Sequence, residues 1–284
     1  MPTATTISEL LERYAGILLD VYGVLLDASG VLPGARELIG ELHRRDIPYA
    51  IVTNDASRSI ETYVQRFAGF GLPIAGERII TSGSLVPGYF AQHRLAGARV
   101  CVLGTGDSAA YVRAGGGEIV PLVEGLELDV LAVCDDAGFE LLPSLEWALS
   151  AVVRAVEAGR RPRLVLPNPD LVYPKRAGEL GFTAGALALV VEAALARRFP
   201  HERLVFDRLG KPEPHLFAQA ARTLGLPPDR LVMIGDQLET DVAGARTAGC
   251  AAALLAGVSR WRDEHSSEVA PALAPTWLLD TLWP

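Results

Sequence analysis

Short aliphatic runs alternate with helical patterns along most of this chain, and this alternation constrains the fold more than any other feature. The run GILLDVYGVLL is followed by PGARELIGELHRRD, in which the apolar residues share one helical face. The run YAIVTND, a second helical pattern and the run ERIITSG come next. Strands that alternate with helices are typical of parallel βαβ units. We therefore expect an α/β protein with a doubly wound, Rossmann-like parallel sheet.

The middle of the chain keeps the alternation but has the pattern of a separate unit. Between residues 84 and 184 there are three further strand patterns, ARVCVLGTG, LDVLAVCDD and RPRLVLPNPD, and a long helical pattern from Leu142 to Gly159. After this segment the strand-and-helix pattern of the first 83 residues resumes. The sequence contains no internal repeat, and no flexible Gly/Ser linker joins the middle segment to the rest of the chain. The sequence predicts a discontinuous core, residues 1–83 and 185–284, with an inserted α/β cap domain, residues 84–184.

Composition and charge argue against several classes of protein. The formal net charge is −8, and no basic run with interleaved aromatic residues counteracts it, so we expect no nucleic-acid partner and no acidic membrane surface. No apolar run approaches the roughly 18 residues of a membrane helix, and no secretory leader is evident, so we expect a cytoplasmic protein. Cys101, Cys134 and Cys250 lie far apart in apolar runs, which predicts core residues.

Polar residues follow four of the predicted strands, and ligands bind at such strand ends in open α/β sheets. An unpaired buried carboxylate is costly, so a charge inside the first aliphatic run must be paired, bound to a metal or placed for chemistry. Together the four segments supply a nucleophile, hydrogen-bond donors, a cation and a carboxylate pair suited to a hard metal. The residues are Asp20 with Tyr22, then Thr53, Asn54 and Asp55, then Lys211, and finally Asp236 with Asp241.

The segments LLDVYGVLLD, YAIVTND, GKPEP and IGDQLETD resemble, in order and spacing, the four motifs of the haloacid dehalogenase superfamily, most of whose members are phosphatases. The insertion, together with TSGSL, LPNPD and GDQLETDVAGA, resembles the class IIA branch, which carries a large α/β cap and includes sugar phosphatases and nitrophenyl phosphatases. This resemblance implies hydrolysis of a small phosphorylated metabolite, such as a sugar phosphate, through an aspartyl-phosphate intermediate.

The resemblance also implies roles for the residues that follow the strands. Asp20 is the expected nucleophile and a Mg²⁺ ligand, with Asp236 as the second carboxylate ligand and the backbone carbonyl of Tyr22 as the third. Asp241 is expected to complete the metal site by holding a metal-bound water or Lys211, whose charge would neutralise the transferring phosphoryl group. The structural alternatives are that Lys211 is a surface lysine and that Asp241 is an ordinary acid in the first turn of a helix, where the helix dipole favours it.

Thr53 and Asn54 are expected to donate hydrogen bonds to the phosphoryl oxygens. The expected substrate contacts are Asn54, Asp55 and, in the cap segment LPNPD, Asn168 and Asp170. The alternative is that these Thr, Asn and Asp side chains only shape turns after their strands.

Tyr22 departs from the superfamily pattern, in which phosphatases usually carry an acid–base Asp at this position. Loss of a positioned acid–base group typically costs about 10²- to 10⁴-fold in rate. One hypothesis is a slow phosphatase in which the Tyr22 phenol or Asp55 assists the leaving group. A second is a dehalogenase, because DVYG also resembles the 2-haloacid dehalogenases, in which a halide leaves without a proton. A third is a phospholigand-binding protein without turnover.

The carboxylate pair favours the phosphatase hypothesis, because the 2-haloacid dehalogenases do not use Mg²⁺. The sequence does not identify the organic group attached to the phosphate. It also leaves the oligomeric state open, and a homo-oligomer paired through the cap is one of the possibilities.

Overall fold

The computed structural model describes residues 2–176, 179–257, 270 and 273–283. Within these residues the strands are β1 (Thr3–Thr5), β2 (Gly16–Leu19), β3 (Leu26–Asp27), β4 (Gly30–Val31), β5 (Tyr49–Thr53), β6 (Ile79–Thr81), β7 (Arg99–Leu103), β8 (Glu118–Ile119), β9 (Val130–Val133), β10 (Arg163–Leu166), β11 (Val172–Arg176), β12 (Glu179–Phe182), β13 (Asp207–Arg208), β14 (Leu231–Gly235), β15 (Ala251–Leu255) and β16 (Trp277–Leu279).

The α-helices of the described residues are α1 (Ile7–Arg13), α2 (Ala35–Arg44), α3 (Ile60–Gly69), α4 (Val86–His93), α5 (Gly106–Ala114), α6 (Leu141–Glu157), α7 (Ala184–Arg198), α8 (His215–Leu224) and α9 (Ala243–Thr247). A single π-helical turn, Leu238–Val242, leads directly into α9. Short 3₁₀ turns cover Gly76–Arg78, Gly83–Leu85 and Pro228–Arg230.

The chain divides into two compact units, and each contains more than one segment. The first unit contains the residues up to Thr53, the segment Ile60–Ile80 and the residues from Lys211 onward. The second contains Asn54–Ser59 and Thr81–Gly210. The compact units therefore place residues 185–210 with the middle segment, whereas the sequence pattern placed the cap at residues 84–184. That functional division into core and cap stays a prediction.

The first unit is built on a parallel sheet with the strand order β1-β16-β15-β14-β2-β5-β6. Leu19 of β2 is aligned with Ile234 of β14 on one side and with Ile51 of β5 on the other. The strand order runs in opposite directions from the central pair β2 and β14, so the crevice at their carboxyl ends is the position where such sheets bind ligands. This sheet confirms the predicted doubly wound α/β core.

Helices cover this sheet with the apolar faces that the sequence indicates. α2 buries Leu38, Ile39 and Leu42, as its periodicity predicts. α3 buries Tyr63 and Phe67 in the same hydrophobic cluster as the β2 and β14 side chains. Because both faces of the sheet are covered, the central strands are apolar throughout, and polar side chains can only follow where the strands end.

The second unit has its own parallel sheet, in the order β13-β10-β9-β7-β8, and an antiparallel hairpin formed by β11 and β12. Helix α7 belongs to this unit because Leu187 and Val191 are buried in one cluster with Leu164 and Leu166 of β10. The apolar run RLVFD before Lys211 has the pattern of a full strand, but only its last residue enters β13. Leu204 and Phe206, which precede it, pack into the α7 cluster instead.

Two further expectations concern the whole chain. Cys101, Cys134 and Cys250 are buried free thiols, as their apolar surroundings predict. Among the helices that the structure describes, none has both the length and the apolar character needed to cross a bilayer.

Candidate active site

Asp20 lies at the carboxyl end of β2, beside the end of β14. Its backbone N–H donates to the Ile234 carbonyl at 3.1 Å, which extends the ladder between the two strands by one residue. The side chain is only 6% exposed, and its Oδ1 accepts the backbone N–H of Val21 at 2.8 Å. The ladder and this hydrogen bond fix the carboxylate at the edge of the sheet, which is where the sequence predicts the nucleophile.

Lys211 is buried among oxygen atoms in the first unit. Its Nζ lies 2.9 Å from Asp20 Oδ1 and 2.6 Å from Asp241 Oδ1, and it donates to the Val52 carbonyl at 3.1 Å. Burial alone would lower the pKa of Lys211, but the two carboxylates reverse this effect and raise the pKa above its ordinary value. A side chain that is 2% exposed is no surface lysine, and it remains a cation in contact with the predicted nucleophile.

Asp241 ties Lys211 to the loop after β14. Its Oδ1 contacts Lys211, and its Oδ2 accepts the backbone N–H groups of Asp236 at 3.2 Å and Gln237 at 3.1 Å. The π-helical turn Leu238–Val242 places this side chain back over the strand end. Since both oxygens already accept hydrogen bonds, the geometry favours the expected role of holding Lys211 over direct metal ligation.

Asp236 follows β14 directly, at the same strand end. Its Oδ1 is buried, yet it has no hydrogen-bond partner among the residues that the structure describes. An unsatisfied buried carboxylate oxygen is costly, so an atom of this kind requires an explanation such as a missing ion.

The three carboxylates fit a hard divalent cation. One ligand atom each from Asp20, Asp236 and Asp241 lie within 4.8 Å of one another. Three negative charges meet the single positive charge of Lys211, so the ionised cluster has excess negative charge. The pKa of Asp20 is raised to about 7 and that of Asp236 to about 8; burial is the largest cause, the Asp241 charge acts in the same direction, and Lys211 opposes the shift. A divalent ion would relieve this repulsion, because Mg²⁺ prefers oxygen ligands.

Two glycines that sequence reasoning missed allow the acids to approach the backbone. A Cβ on Gly23 would overlap the Asp236 carboxylate, and a Cβ on Gly235 would overlap the Asp241 carboxylate. Gly23 also has a φ of +83°, a conformation that side chains other than glycine rarely adopt. The available signal was a glycine next to each acidic motif, in DVYG and in MIGD.

The second motif runs through Thr53, the last residue of β5, into Asn54 and Asp55, which belong to the second unit. Thr53 is buried beside Val52, whose carbonyl binds Lys211. Asp55 accepts from Ser57 through Oδ1 and forms a 2.6 Å ion pair with Arg58 through Oδ2. These contacts satisfy the turn after the strand, which agrees with the turn-forming alternative for Asp55.

Within the second unit, the structure brings together two predicted substrate contacts. Asn54 Nδ2 donates to Asp170 Oδ1 at 2.8 Å. Asn168 Oδ1 accepts the backbone N–H of Asp170 at 3.0 Å, and the Thr183 hydroxyl donates to the Asp170 carbonyl. Asn168 therefore shapes its own turn, whereas Asp170 orients the amide of Asn54.

Tyr22 makes a contact that the sequence did not predict. Its hydroxyl oxygen accepts a hydrogen bond from Arg66 Nη1 at 2.6 Å, and the Arg66 guanidinium carbon lies 5.3 Å from the ring centroid. Arg66 lies on α3, far from Tyr22 in sequence, and no spacing rule links the two positions. Only the fold reveals this pair.

Two family models match the chain on either side of its middle segment. The model for haloacid dehalogenase-like hydrolases matches residues 17–118, and a second, HAD-hydrolase-like model matches residues 208–284. The chain belongs to the haloacid dehalogenase-like hydrolases. The first match contains Asp20, Tyr22, Thr53 and Asn54, and the second contains Lys211 and both later acids.

Individual relatives extend the likeness to nearly the whole chain. The acid sugar phosphatase of Staphylococcus aureus is 24% identical over 264 residues, which are 92% of this chain and 94% of that protein. A possible sugar phosphatase from Cytophaga hutchinsonii has a similar structure, with a TM-score of 0.86, 28% identity and coverage of 100% of this chain and 99% of the other. The 4-nitrophenylphosphatase of Thermotoga maritima has the same fold, with a TM-score of 0.79, 22% identity and 96% coverage of both chains. These likenesses confirm the predicted superfamily and its class IIA branch.

Proposed function

We propose that this hydrolase is a Mg²⁺-dependent phosphatase that acts on a small phosphorylated metabolite, such as a sugar phosphate. The observation that most supports this function is the buried cluster at the ends of β2 and β14. There Asp20 contacts Lys211, and a buried Asp236 oxygen has no hydrogen-bond partner in the part of the chain that the structure describes. Sequence likeness to an acid sugar phosphatase supports the same class of substrate.

Asp20, Asp236 and the backbone carbonyl of Tyr22 are the proposed metal ligands, with Asp241 supporting the site through Lys211. When bound, Mg²⁺ would screen the repulsion between the Asp20 carboxylate and the phosphate dianion. The attack on phosphorus and the stabilisation of the phosphoryl group would be carried out by side chains of this chain.

Asp20 is the proposed nucleophile. One of its carboxylate oxygens attacks phosphorus, the bond from phosphorus to the ester oxygen breaks, and its electron pair leaves with the organic group. The Lys211 ammonium group neutralises charge on the transferring phosphoryl group, while Thr53 and Asn54 donate hydrogen bonds to its oxygens. The resulting aspartyl-phosphate is then hydrolysed by water.

Substrate selection is proposed to involve Asn54 and Asp55 with Asn168 and Asp170. The hydrogen bond from Asn54 to Asp170 supports this grouping because it fixes the orientation of the Asn54 amide. The cytoplasmic location and a homo-oligomeric state stay predictions from the sequence.

Phosphate release is the test. Purified protein is assayed with and without Mg²⁺ on 4-nitrophenyl phosphate, sugar phosphates, glycerol phosphate and nucleotides. The wild type is compared with Asp20→Asn and with Asp229→Asn, which makes the same change on the exposed 3₁₀ turn before β14. We expect Mg²⁺-dependent release by the wild type and Asp229→Asn, and none by Asp20→Asn, with thermal unfolding showing that all three are folded.

Other outcomes would identify the alternative functions. Halide release from 2-haloacids without Mg²⁺ would favour the dehalogenase hypothesis. Thermal stabilisation by phosphorylated ligands without any product would favour a binding protein. Turnover by Asp20→Asn at the wild-type rate would refute the proposed nucleophile.

A further inference from the structure

We infer that four hydroxyl-bearing residues of the second unit are positioning residues for Asn54, because they hold the backbone of the segment that Asn54 begins. The segment is Asn54–Ser59, and the four residues are Ser82, Thr105, Ser108 and Tyr111. This inference rests on the proposed phosphatase function, in which Asn54 donates a hydrogen bond to the phosphoryl group. It adds the residues that fix this donor in place.

The segment Asn54–Ser59 lies between β5 and α3 and belongs to neither element. Its first three residues are nevertheless buried, with exposures of 4%, 9% and 1%. Buried backbone carbonyls outside helices and strands still need hydrogen-bond donors. The donors for this segment must therefore come from other parts of the chain.

The first two carbonyls of the segment are bound by the residues that follow β6. Ser82 Oγ donates to the Asn54 carbonyl at 2.6 Å, and the Gly83 N–H donates to the Asp55 carbonyl at 3.4 Å. Ser82 is completely buried. Because Asp170 also accepts from the Asn54 side chain at 2.8 Å, both the backbone and the amide of Asn54 are held by the second unit.

The next three carbonyls are bound by hydroxyl groups of α5 and of its N-cap residue. These hydrogen bonds run from Ser108 to Ala56 at 2.7 Å, from Thr105 to Ser57 at 2.6 Å and from Tyr111 to Arg58 at 2.8 Å. The donors are spaced three residues apart, so neighbouring donors lie on the same side of the helix. Every carbonyl from residue 54 to residue 58 thus has a donor in the second unit.

Two glycines show how closely this support is packed. A Cβ on Gly83 would overlap the Tyr111 ring, and a Cβ on Gly104 would overlap the Ser108 hydroxyl. The hydroxyl donors therefore have little room to move, and the segment that they bind is fixed with them.

The segment begins where the chain leaves the proposed catalytic cluster. The Val52 carbonyl accepts from Lys211 Nζ at 3.1 Å, and the same Nζ lies 2.9 Å from Asp20 Oδ1. Asn54 follows Val52 by two residues, so its Cα lies no more than about 7 Å from the Cα of Val52. Any displacement of the segment would therefore move the proposed phosphate donor relative to Lys211 and Asp20.

Removal of single hydroxyl groups tests the inference. Ser82→Ala and Ser108→Ala each remove a hydroxyl that binds the segment. The matched control is Ser84→Ala, because Ser84 Oγ also donates to a backbone carbonyl at 2.6 Å, but to that of Thr81 in its own turn.

Each variant is assayed for kcat/KM on 4-nitrophenyl phosphate and for the inhibition constant of inorganic phosphate. The inhibition constant does not depend on the folded fraction, so a variant that folds poorly still gives a valid result. We expect Ser82→Ala to lower kcat/KM about tenfold and to raise the inhibition constant, since a 1 Å misplacement can cost about 10²-fold in rate. Ser108→Ala should act in the same direction, and Ser84→Ala should leave both quantities unchanged.

A double variant shows whether Ser82 acts through Asn54. Asn54→Ala removes the proposed donor, so Ser82→Ala should cause no further fall in kcat/KM in that background. A purely structural role would instead produce the same fall in both backgrounds.

Unchanged values of both quantities in Ser82→Ala would overturn the inference while leaving the phosphatase function intact. Equal effects of Ser82→Ala and Ser84→Ala, or a full additional fall in the Asn54→Ala background, would do the same. A wild-type protein that releases phosphate from no ester would overturn the proposed function, and the inference with it.

Discussion

Tyr22 sets a limit on the second half of the proposed reaction. A phenol can protonate a leaving alkoxide, but a carboxylate of ordinary acidity is the better match to a water that must lose a proton near neutral pH. We therefore expect Tyr22→Asp to raise kcat for alkyl phosphates by about tenfold or more. Steady-state phosphate release checks this expectation. The absence of any gain would mean that another group already serves as the base.

Gly23 shows how a residue without a side chain can shape the acidic cluster. Its φ is +83°, and a Cβ there would overlap the Asp236 carboxylate. Gly30 makes a matched control because its φ is +131° and a Cβ there would meet nothing within 4 Å. Both alanine variants suffer backbone strain, but only Gly23→Ala also displaces a proposed ligand.

We expect Gly23→Ala to lose Mg²⁺-dependent activity and the thermal stabilisation that Mg²⁺ provides, whereas Gly30→Ala should keep both. Differential scanning fluorimetry with and without Mg²⁺ measures the second effect directly. Equal behaviour of the two variants would show that strain alone matters and that contact with Asp236 does not.

The π-helical turn Leu238–Val242 is the element that assembles the cluster, since it returns Asp241 to the strand end. Asp241→Asn would remove the charge that pairs with buried Lys211 and would weaken the contacts to two backbone N–H groups. We expect it to lower the free energy of unfolding by about 2–3 kcal/mol, because buried charged hydrogen bonds are each worth about 1.5–3 kcal/mol.

Urea unfolding measures this change, and Glu239→Gln is its control. Glu239 is an exposed acid on the same turn, so its substitution should change the free energy of unfolding by about 0.5 kcal/mol or less. A similar effect of both variants would mean that Asp241 has no special structural role.

The sequence predicts elements well where packing and local pattern agree. The buried face of α2 follows from its helical periodicity, and the central strands follow from continuous apolar runs, because helices cover both faces of the sheet. The π-helical turn could not be predicted, because it differs from an α-helical turn by one residue in its hydrogen-bond spacing and a short polar segment carries no signature of that difference. Helix α7 is apolar around most of its circumference, so its pattern could not say which sheet it covers.

The same contrast holds for the site. Asp20, Lys211 and Asp236 could be predicted because motif order and strand ends identify the carboxyl edge of a parallel sheet. The contact between Arg66 and Tyr22 could not, because the two side chains lie 44 positions apart in the sequence. Pairings of this kind are decided by tertiary packing.

For the whole molecule, the acidic cluster makes stability depend on pH. Burial raises the pKa of Asp20 to about 7 and of Asp236 to about 8, far above the values near 4 in an unfolded chain. At pH values between the unfolded and the folded pKa values, the folded state binds more protons than the unfolded state. The stability that these protons contribute is present at low pH and is lost as the pH rises through about 7 to 8. Without metal, the protein should therefore unfold at a lower temperature at pH 9 than at pH 6.

A bound divalent cation changes this dependence because it replaces the protons. Ligands must be deprotonated to bind, so Mg²⁺ should bind more tightly as the pH rises, and the stabilisation it provides should grow accordingly. We expect the Mg²⁺-induced rise in unfolding temperature to be larger at pH 9 than at pH 6. Differential scanning calorimetry over this range, in buffers of equal ionic strength, measures it.

Asp236→Asn distinguishes the effect of the acidic cluster from the effect of other carboxyl groups whose pKa is raised. Burial also raises the pKa of Asp135 to about 7, with the Asp136 charge adding to the effect, so part of the pH dependence without metal should persist in the variant. The Mg²⁺ response should not persist, because the variant lacks the carboxylate with the unpartnered oxygen. A Mg²⁺ shift of equal size at pH 6 and pH 9, or one retained in Asp236→Asn, would place the cation elsewhere on the molecule. Growth of the shift with pH in the wild type and its loss in the variant would instead tie stability, metal binding and proton binding to Asp20 and Asp236.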